Sequence, residues 1–400
     1  MNTIHFVWHH RALTVVAIAT ALTSASFAVP VSTLYLLARG LTWTQVFTLE
    51  TVLVVSIMVC DLPTGRLADL TSDRAVLVAG YLVGAVAAIG FATSHGFGQF
   101  VATHVLSGLG IALVSGADRS YLAAVLDREA GNRLTGVLGH CGALSAVSGA
   151  LAGIIGALLA TRGIGWPAAA AAVAETAGAA VVLALPAAPR TRDGDDSPTP
   201  EPPTPEPLGA VARHVLATPV LWLSALQPWI LVGAAFYLNQ PRWQSTGVDV
   251  RWFGVLLALA QMGAAVGSHS SEWLCSRVGS RTRLVAASTF GCAAGFALMT
   301  IPHRFGTIAG FVVILASAAV RGPVADTLTT VAAPVTSRAT ALSMVSTVAS
   351  LVGAALNPLV GLVTSHSVTA ACLTLAGVMV VFALAWARVS DPSTSGAVAC

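Results

Sequence analysis

One spacing constrains this chain more than any other feature. Apolar stretches of about twenty residues follow one another from end to end, and charge is swept into the gaps between them. A membrane-crossing helix needs ~20 mostly apolar residues, and twelve stretches meet that need: 12–37, 45–62, 75–93, 99–117, 134–160, 166–185, 219–238, 252–273, 284–301, 307–328, 339–364 and 368–387. Composition agrees, with 56% hydrophobic and 9% charged residues and a mean hydropathy of +0.80. A soluble domain carries roughly 25% charged residues. So few charges cannot cover a water-facing surface of this size, and lipid must solvate much of the protein. The first stretch imitates a secretion signal, with Arg11, an apolar run and Ser26-Phe27-Ala28, but the run continues to Leu37 and reads as an uncleaved first span.

Twelve spans put both termini on one side. With Met1 inside, fifteen arginines fall in inner segments and five (Arg39, Arg162, Arg242, Arg251, Arg304) in outer loops. The excess of cationic residues on the cytoplasmic side makes the termini cytoplasmic and the chain a multi-pass protein of the inner (cytoplasmic) membrane. Residues 186–218 hold a Pro- and acid-rich cytoplasmic linker, 186–207, followed by a short surface helix. The expected organisation is a six-helix half over 1–185, this linker, a second six-helix half over 219–387 and a cytoplasmic tail over 388–400. The six cysteines are scattered without a C-x-x-C pair, so no disulfide framework and no metal site are expected.

The halves echo one another. "DLPTGRLADLTSDR" (61–74) and "EWLCSRVGSR" (272–281) are charged islands in corresponding gaps, and Arg74 aligns with Arg281 at an offset of 207. "SGALAGIIG" (148–156) and "VGAALNPLVG" (352–361) correspond at a shift of 204, with Gly149 and Gly153 opposite Gly353 and Asn357. An all-α membrane protein of twelve helices in two pseudo-symmetric halves follows.

These residues resemble the major facilitator superfamily over essentially the whole chain, in particular its drug and metabolite exporters. The family carries G-x-x-x-D-[RK]-x-G-[RK]-[RK] between spans two and three. Gly65, Asp69 and Arg74 match, while Leu70, Ser72 and Asp73 depart; the second copy keeps Arg277, Gly279 and Arg281. The resemblance implies that Asp69 faces the inner end of span eleven and that Arg74 pairs with Asp118 or Asp127 near the inner end of span four. Such a latch would hold the cytoplasmic side closed. Plain topology is the alternative for the basic residues. In span four, His104 stands where the family has Arg, ahead of Gly108, Gly110 and Ala112. In span five Gly149 and Gly153 match the exporter pattern, but Ile154 replaces its proline; Pro358 supplies one in span eleven. The small-residue stripes around Gly149, Gly153, Gly353, Asn357 and Pro358 read as helix packing or as a sliding surface.

Ionisable residues inside spans are costly and commonly functional. Glu50 on the outer half of span two is the first candidate for proton coupling and His104 the second. Glu175, at mid-depth of a helix that is peripheral in the family, reads as a coupling group or a hydrogen-bonded carboxyl. Cavity candidates are Ser24, Ser26, Ser115, Gln227, Trp229, Tyr237 and Asn239, modest polar groups in an apolar wall that suits a moderately hydrophobic small molecule. Trp243 reads as an interface anchor. No Walker loop, H-E-x-x-H or catalytic set occurs, so neither an enzyme nor a self-contained ATP pump is expected.

The leading expectation is a monomeric secondary active transporter without cofactor, the proton gradient supplying the energy. It would export a small hydrophobic or amphipathic drug or secondary metabolite by alternating access, with that compound and the bilayer as partners and no nucleic acid. An importer or uniporter of a small nutrient is one alternative. A non-transporting sensor, scaffold or enzyme on the same fold is another. Topology is directly testable: a cysteine introduced at 193–206 should resist an impermeant thiol reagent in intact cells and react after permeabilisation. Labelling from outside overturns the assignment.

Overall fold

The computed structural model describes residues 10–126, 134–186, 207–226, 230–334 and 337–391, with the backbone alone for some helical residues. Lipid offers no partners for backbone N–H and C=O groups, so a chain this apolar satisfies them within helices. Among the described residues there are sixteen α-helices, two 3-10 turns (Val29–Val31, Val250–Trp252) and no strand. In the first half they are α1 (Arg11–Thr23), α2 (Ser32–Ala38), α3 (Trp43–Leu70), α4 (Asp73–Thr93), α5 (Phe97–Leu126), α6 (Leu134–Ala160) and α7 (Trp166–Val182). Then come α8 (Leu208–Ala217), α9 (Pro219–Leu226), α10 (Ile230–Ser245), α11 (Phe253–His269), α12 (Ser271–Val278), α13 (Arg281–Leu298), α14 (Arg304–Ala332), α15 (Arg338–His366) and α16 (Val368–Ala387).

Every expected span coincides with helix, but not always with one long rod. Among the described residues eight helices are long and apolar enough to cross a membrane alone, or nine if the pair α8 and α9, bent by 90°, counts as one. The remainder are broken or short, α1 with α2, α7 and α13, or are described only on either side of residues 227–229, as α9 and α10 are. One charged island also differs from expectation. Residues 61–70 continue α3 through Pro63 to Leu70, so only Thr71 and Ser72 connect α3 to α4. Thr64 supports the continuation, its hydroxyl lying 2.8 Å from the Cys60 carbonyl and 3.2 Å from the Ala112 carbonyl of α5.

Helix starts follow local chemistry. Thr42 and Gln45 form a reciprocal capping box at α3. Ser72 accepts from the Ala75 N–H at α4, and Ser280 from the Arg283 N–H at α13. Gly279 ends α12 at φ +71°, a left-handed conformation that favours glycine, and its N–H reaches the Cys275 carbonyl at 2.9 Å. The Arg281 N–H at the start of α13 is accepted by the Asp391 carboxylate at 2.8 Å. Cys275 is disulfide-bonded, whereas Cys60, Cys141, Cys292 and Cys372 are free. That corrects the expectation of free thiols, which rested on scattered spacing alone.

The chain divides into two compact units, Met1–Asp195 with Asp249–Ala258, and Asp196–Val248 with Leu259–Cys400. The first buries Leu13, Val16, Val76, Leu77, Tyr121 and Val182 together. Its helices approach closely at glycines: a Cβ on Gly110 would stand 3.1 Å from the Gly84 nitrogen, and one on Gly80 would stand 2.7 Å from Val114. The second unit buries Val220, Leu223, Val285, Leu328 and Trp386, and Gly295 and Gly310 bring α13 against α14. Gly84 and Gly110 in the first unit correspond to Gly291 and Ser317, also in contact, at the same offset of 207. The duplication thus extends to the contact that joins neighbouring helices.

The first span is broken over residues 24–28. There the backbone turns on short-range bonds, Ser26 N–H to the Ser24 carbonyl and Phe27 N–H to the Ala25 carbonyl, before Val29–Val31 resumes. Helix α6 supports this break. The Ser148 hydroxyl donates to the Ala21 carbonyl, Gly149 lies against the Ser24 carbonyl and Gly156 against that of Phe27. Gly153 lies against the Pro30 ring just past the break, and its carbonyl lies against Gly254 at the start of α11. On the same helix Val147, Leu151 and Leu158 are more than half exposed and form its outer apolar face. Gly156→Val should therefore lower thermal stability in detergent by ~1–3 kcal/mol or more, the cost of overpacking, because the added atoms meet backbone. Leu158→Ala should leave it unchanged.

Candidate functional site

The first unit contains a cavity of about 720 Å³ lined by the broken first span, α3, α4, α5 and α7. Thr23, Ser26 and Ser32 reach it from the break and its flanks, Tyr81 from α4, His104 and Ser107 from α5, and Glu175 from α7. The rest of the lining is alanine, glycine, Leu53, Phe91, Ile111 and similar apolar groups. Small residues make the space: α4 presents Gly80, Gly84, Ala87 and Ala88, and α7 presents Ala168 and Ala171. A Cβ on Gly84 would stand 3.7 Å from Glu175 Oε2. Gly178, one turn along α7, lets Thr23 come close, since a Cβ there would stand 2.8 Å from the Thr23 methyl.

Two titratable groups on different helices thus face one apolar volume. His104 Nδ1 lies 2.7 Å from the Phe100 carbonyl one turn back. A carbonyl only accepts, so Nδ1 carries the proton and Nε2 keeps its lone pair in the neutral ring. Phe91 packs beside it, ring centroids 6.0 Å apart. Glu175 is half-buried and makes no hydrogen bond or ion pair among the described residues. Its helix turns it toward the cavity. Protons can be held at Nε2 of His104 and at the Glu175 carboxyl within one chamber.

The other expected residues lie elsewhere. Glu50, in α3, is half-buried and not part of the lining, which takes Leu53 from that helix. Ser24 contributes its carbonyl to Gly149 rather than its side chain to the cavity. In α10, Tyr237 is half-buried, and Asn239 is buried with Oδ1 lacking a partner among the described residues. Trp243 is fully buried, edge-on to Phe311 at 5.3 Å, so it is not an interface anchor. Gly353 and Asn357 are buried within α15, which carries Pro358 inside it. Asp127, Gln227 and Trp229 lie outside the described residues, as do the side chains of Ser115, Asp118 and Asp69. Gly65 lies in α3 with its surroundings likewise undescribed.

The charged gaps do visible work on backbone. Arg74 Nη2 reaches the Leu183 carbonyl, 3.4 Å, just past the end of α7, while the Tyr121 hydroxyl donates to the Pro186 carbonyl at 3.0 Å. Carbonyls at a helix C-terminus lack intrahelical donors, so both contacts satisfy exposed acceptors. Burial pushes the Tyr121 phenol up to about 12, with Arg74 opposing, so the hydroxyl remains a donor throughout the physiological range. In the second copy Arg277 lies over the Trp273 ring at 5.1 Å. Ser32, Tyr81 and Ser107 were not singled out from sequence. Serine in an apolar helix carries little signal until its neighbours are known.

The family model described as Major Facilitator Superfamily matches residues 13–320. No curated protein sequence matches the chain. Among solved structures, a mutant of the nucleoside transporter NupG is similar with a TM-score of 0.74 at 15% identity, over 94% of this chain and 99% of that one. A bacterial homolog of the human lysosomal transporter Spinster, inward-facing and unoccupied, gives 0.69 at 16% identity over 94% of each chain. A POT family transporter gives 0.70 at 13% identity over 94% of this chain and 95% of that one. Likeness at such identities speaks for the fold.

Access to the cavity can be read without any cargo. With the other cysteines replaced by serine, Ala171→Cys should react with a small maleimide in the folded protein. Adding Ser107→Trp should block that reaction by filling the volume. Cysteine at Arg162, exposed in the turn before α7, should react in both backgrounds.

Proposed function

From its membership of the Major Facilitator Superfamily, to which the chain belongs, we propose that it exports a small hydrophobic or amphipathic compound in exchange for protons. The chain is a multi-pass membrane protein and a transporter of the secondary kind, not an enzyme. The observation that carries the finer reading is the placement of His104 and Glu175 in one largely apolar cavity. A proton needs a titratable group on its route, and carboxyl and imidazole groups are the side chains suited to that task near neutral pH.

Exchange, rather than cotransport, follows from sharing. Cargo occupying the cavity and protons on its walls compete for the same volume, so each favours the release of the other. Under an inward proton gradient, such competition moves protons in and cargo out. The apolar wall with scattered hydroxyls suits a molecule with a broad apolar body and one or two polar groups. Alternating access supplies the two faces, and the arginine asymmetry supports an inner-membrane orientation with both termini cytoplasmic. In this reading Glu175 and His104 replace Glu50 as the coupling groups, since Glu50 does not line the cavity.

The test starts with a screen for compounds whose accumulation falls in cells expressing the chain. In sealed vesicles, one such compound should be concentrated when a pH gradient is imposed. Glu175→Gln keeps size and removes the titrating carboxyl. It should abolish uphill transport while downhill exchange of the compound survives, and His104→Gln should slow pH-driven transport. Glu175→Gln protein that still concentrates the compound would refute the coupling role, and increased accumulation in expressing cells would reverse the direction.

A further inference from the structure

The second unit has a cavity of its own, about 520 Å³, between α9, α14 and α15. Its chemistry differs from that of the first. Arg321 of α14 lines it and is only 7% exposed. The residue stands eleven positions before the end of α14 at Ala332, ~16 Å along the helix. Orientation of the chain does not require this depth, because an arginine at the helix end would serve the positive-inside bias equally well. A cation held that far from the end of a membrane helix is costly and marks a ligand pathway more often than not.

The hydroxyls around it divide into two kinds. Thr329 and Thr330 donate to backbone carbonyls of their own helix, at 2.9 Å and 2.7 Å from the Asp326 oxygen. Their hydrogens are committed. Ser224 of α9 and Ser346 of α15 are not: neither makes a hydrogen bond among the described residues, the Ser224 Oγ being buried and Ser346 exposed. Asp326 also borders the cavity, but it is exposed, and solvent weakens its field relative to that of the buried guanidinium. The cavity therefore combines positive potential with uncommitted hydroxyl donors, while Leu342 and Val345 supply an apolar side.

We infer that this cavity is an oxyanion site, in which Arg321 and the hydroxyls of Ser224 and Ser346 hold the carboxylate or phosphate group of an amphipathic anion. The fork of an arginine matches two oxygens of such a group, and the apolar side takes its body. The anion has two physical sources, a soluble organic acid or the headgroup of an anionic lipid, and both present the same chemistry. Binding, not transport, tests the site, so its loss leaves the exchange reading of the first cavity standing.

The protein is placed in nanodiscs of phosphatidylcholine and titrated calorimetrically with benzoate and with benzamide, its neutral isostere. Benzoate should bind and benzamide should not. Arg321→Gln should weaken benzoate by roughly 10–100-fold, the range of charge-assisted hydrogen bonds. Ser224→Ala, which leaves the guanidinium in place, should weaken it several-fold. Equal binding of benzamide, or wild-type benzoate affinity in Arg321→Gln, overturns the proposal. Should Arg321→Gln fail to fold, unchanged affinity in Ser224→Ala overturns it instead. Discs containing phosphatidylglycerol separate the sources: benzoate binding lost there assigns the site to a lipid headgroup, and binding retained there assigns it to a soluble acid.

Discussion

A bilayer tolerates a helix because every backbone group inside it is already bonded, and it penalises each group that is not. The first span breaks that rule between α1 and Val29–Val31, and the rest of the first unit is arranged around the exception. Short turns bond part of the unwound backbone to itself. Helix α6 covers what remains with Ser148, Gly149 and Gly156, whose small size lets one backbone lie on another. Once the break is covered, it can turn Thr23 and Ser26 toward the cavity, where an intact helix would have carried on past it. The chamber is thus a consequence of how an interrupted helix is accommodated.

The same economy of size recurs wherever helices meet. Gly84 with Gly110 and Gly291 with Ser317 hold equivalent crossings in the two units, and the equivalence is visible in backbone geometry rather than in residue identity. Charge follows a complementary rule. Arg74 and the Asp391 carboxylate attend to helix ends, where unbonded carbonyls and N–H groups collect. His104, Glu175 and Arg321 depart from it, standing within helices and bordering cavities.

Much of this was readable from residues. Apolar runs marked the membrane-length segments, the paired charged islands marked the duplication, and Gly279 stood where a left-handed turn was needed. What failed to show has a common physical cause. A segment apolar on all sides has no preferred face in its sequence, so α7 gave no sign that Glu175 points to a cavity, nor α3 that Glu50 does not. Residues 61–70 looked like a loop because charge and Pro63 suggested one; Thr64, bonded to the Ala112 carbonyl of a distant helix, keeps the segment wound. Arg321 carried no sign of its setting, since burial is a property of neighbours that no local pattern records. The break at 24–28 was hidden for the same reason, being supported by residues more than a hundred positions away.

The bond from Arg281 N–H to Asp391 spans 110 residues. A ribosome makes α13 long before it makes the residues that follow α16. Through that interval the first turn of α13 has Ser280 but lacks its carboxylate, while its buried side, Val285 among others, awaits Trp386. The second unit therefore cannot mature by simple addition of helices in the order of synthesis. Its ninth span must be held provisionally, then secured from behind by the last, so that completion of the half is a single late event rather than a gradual one.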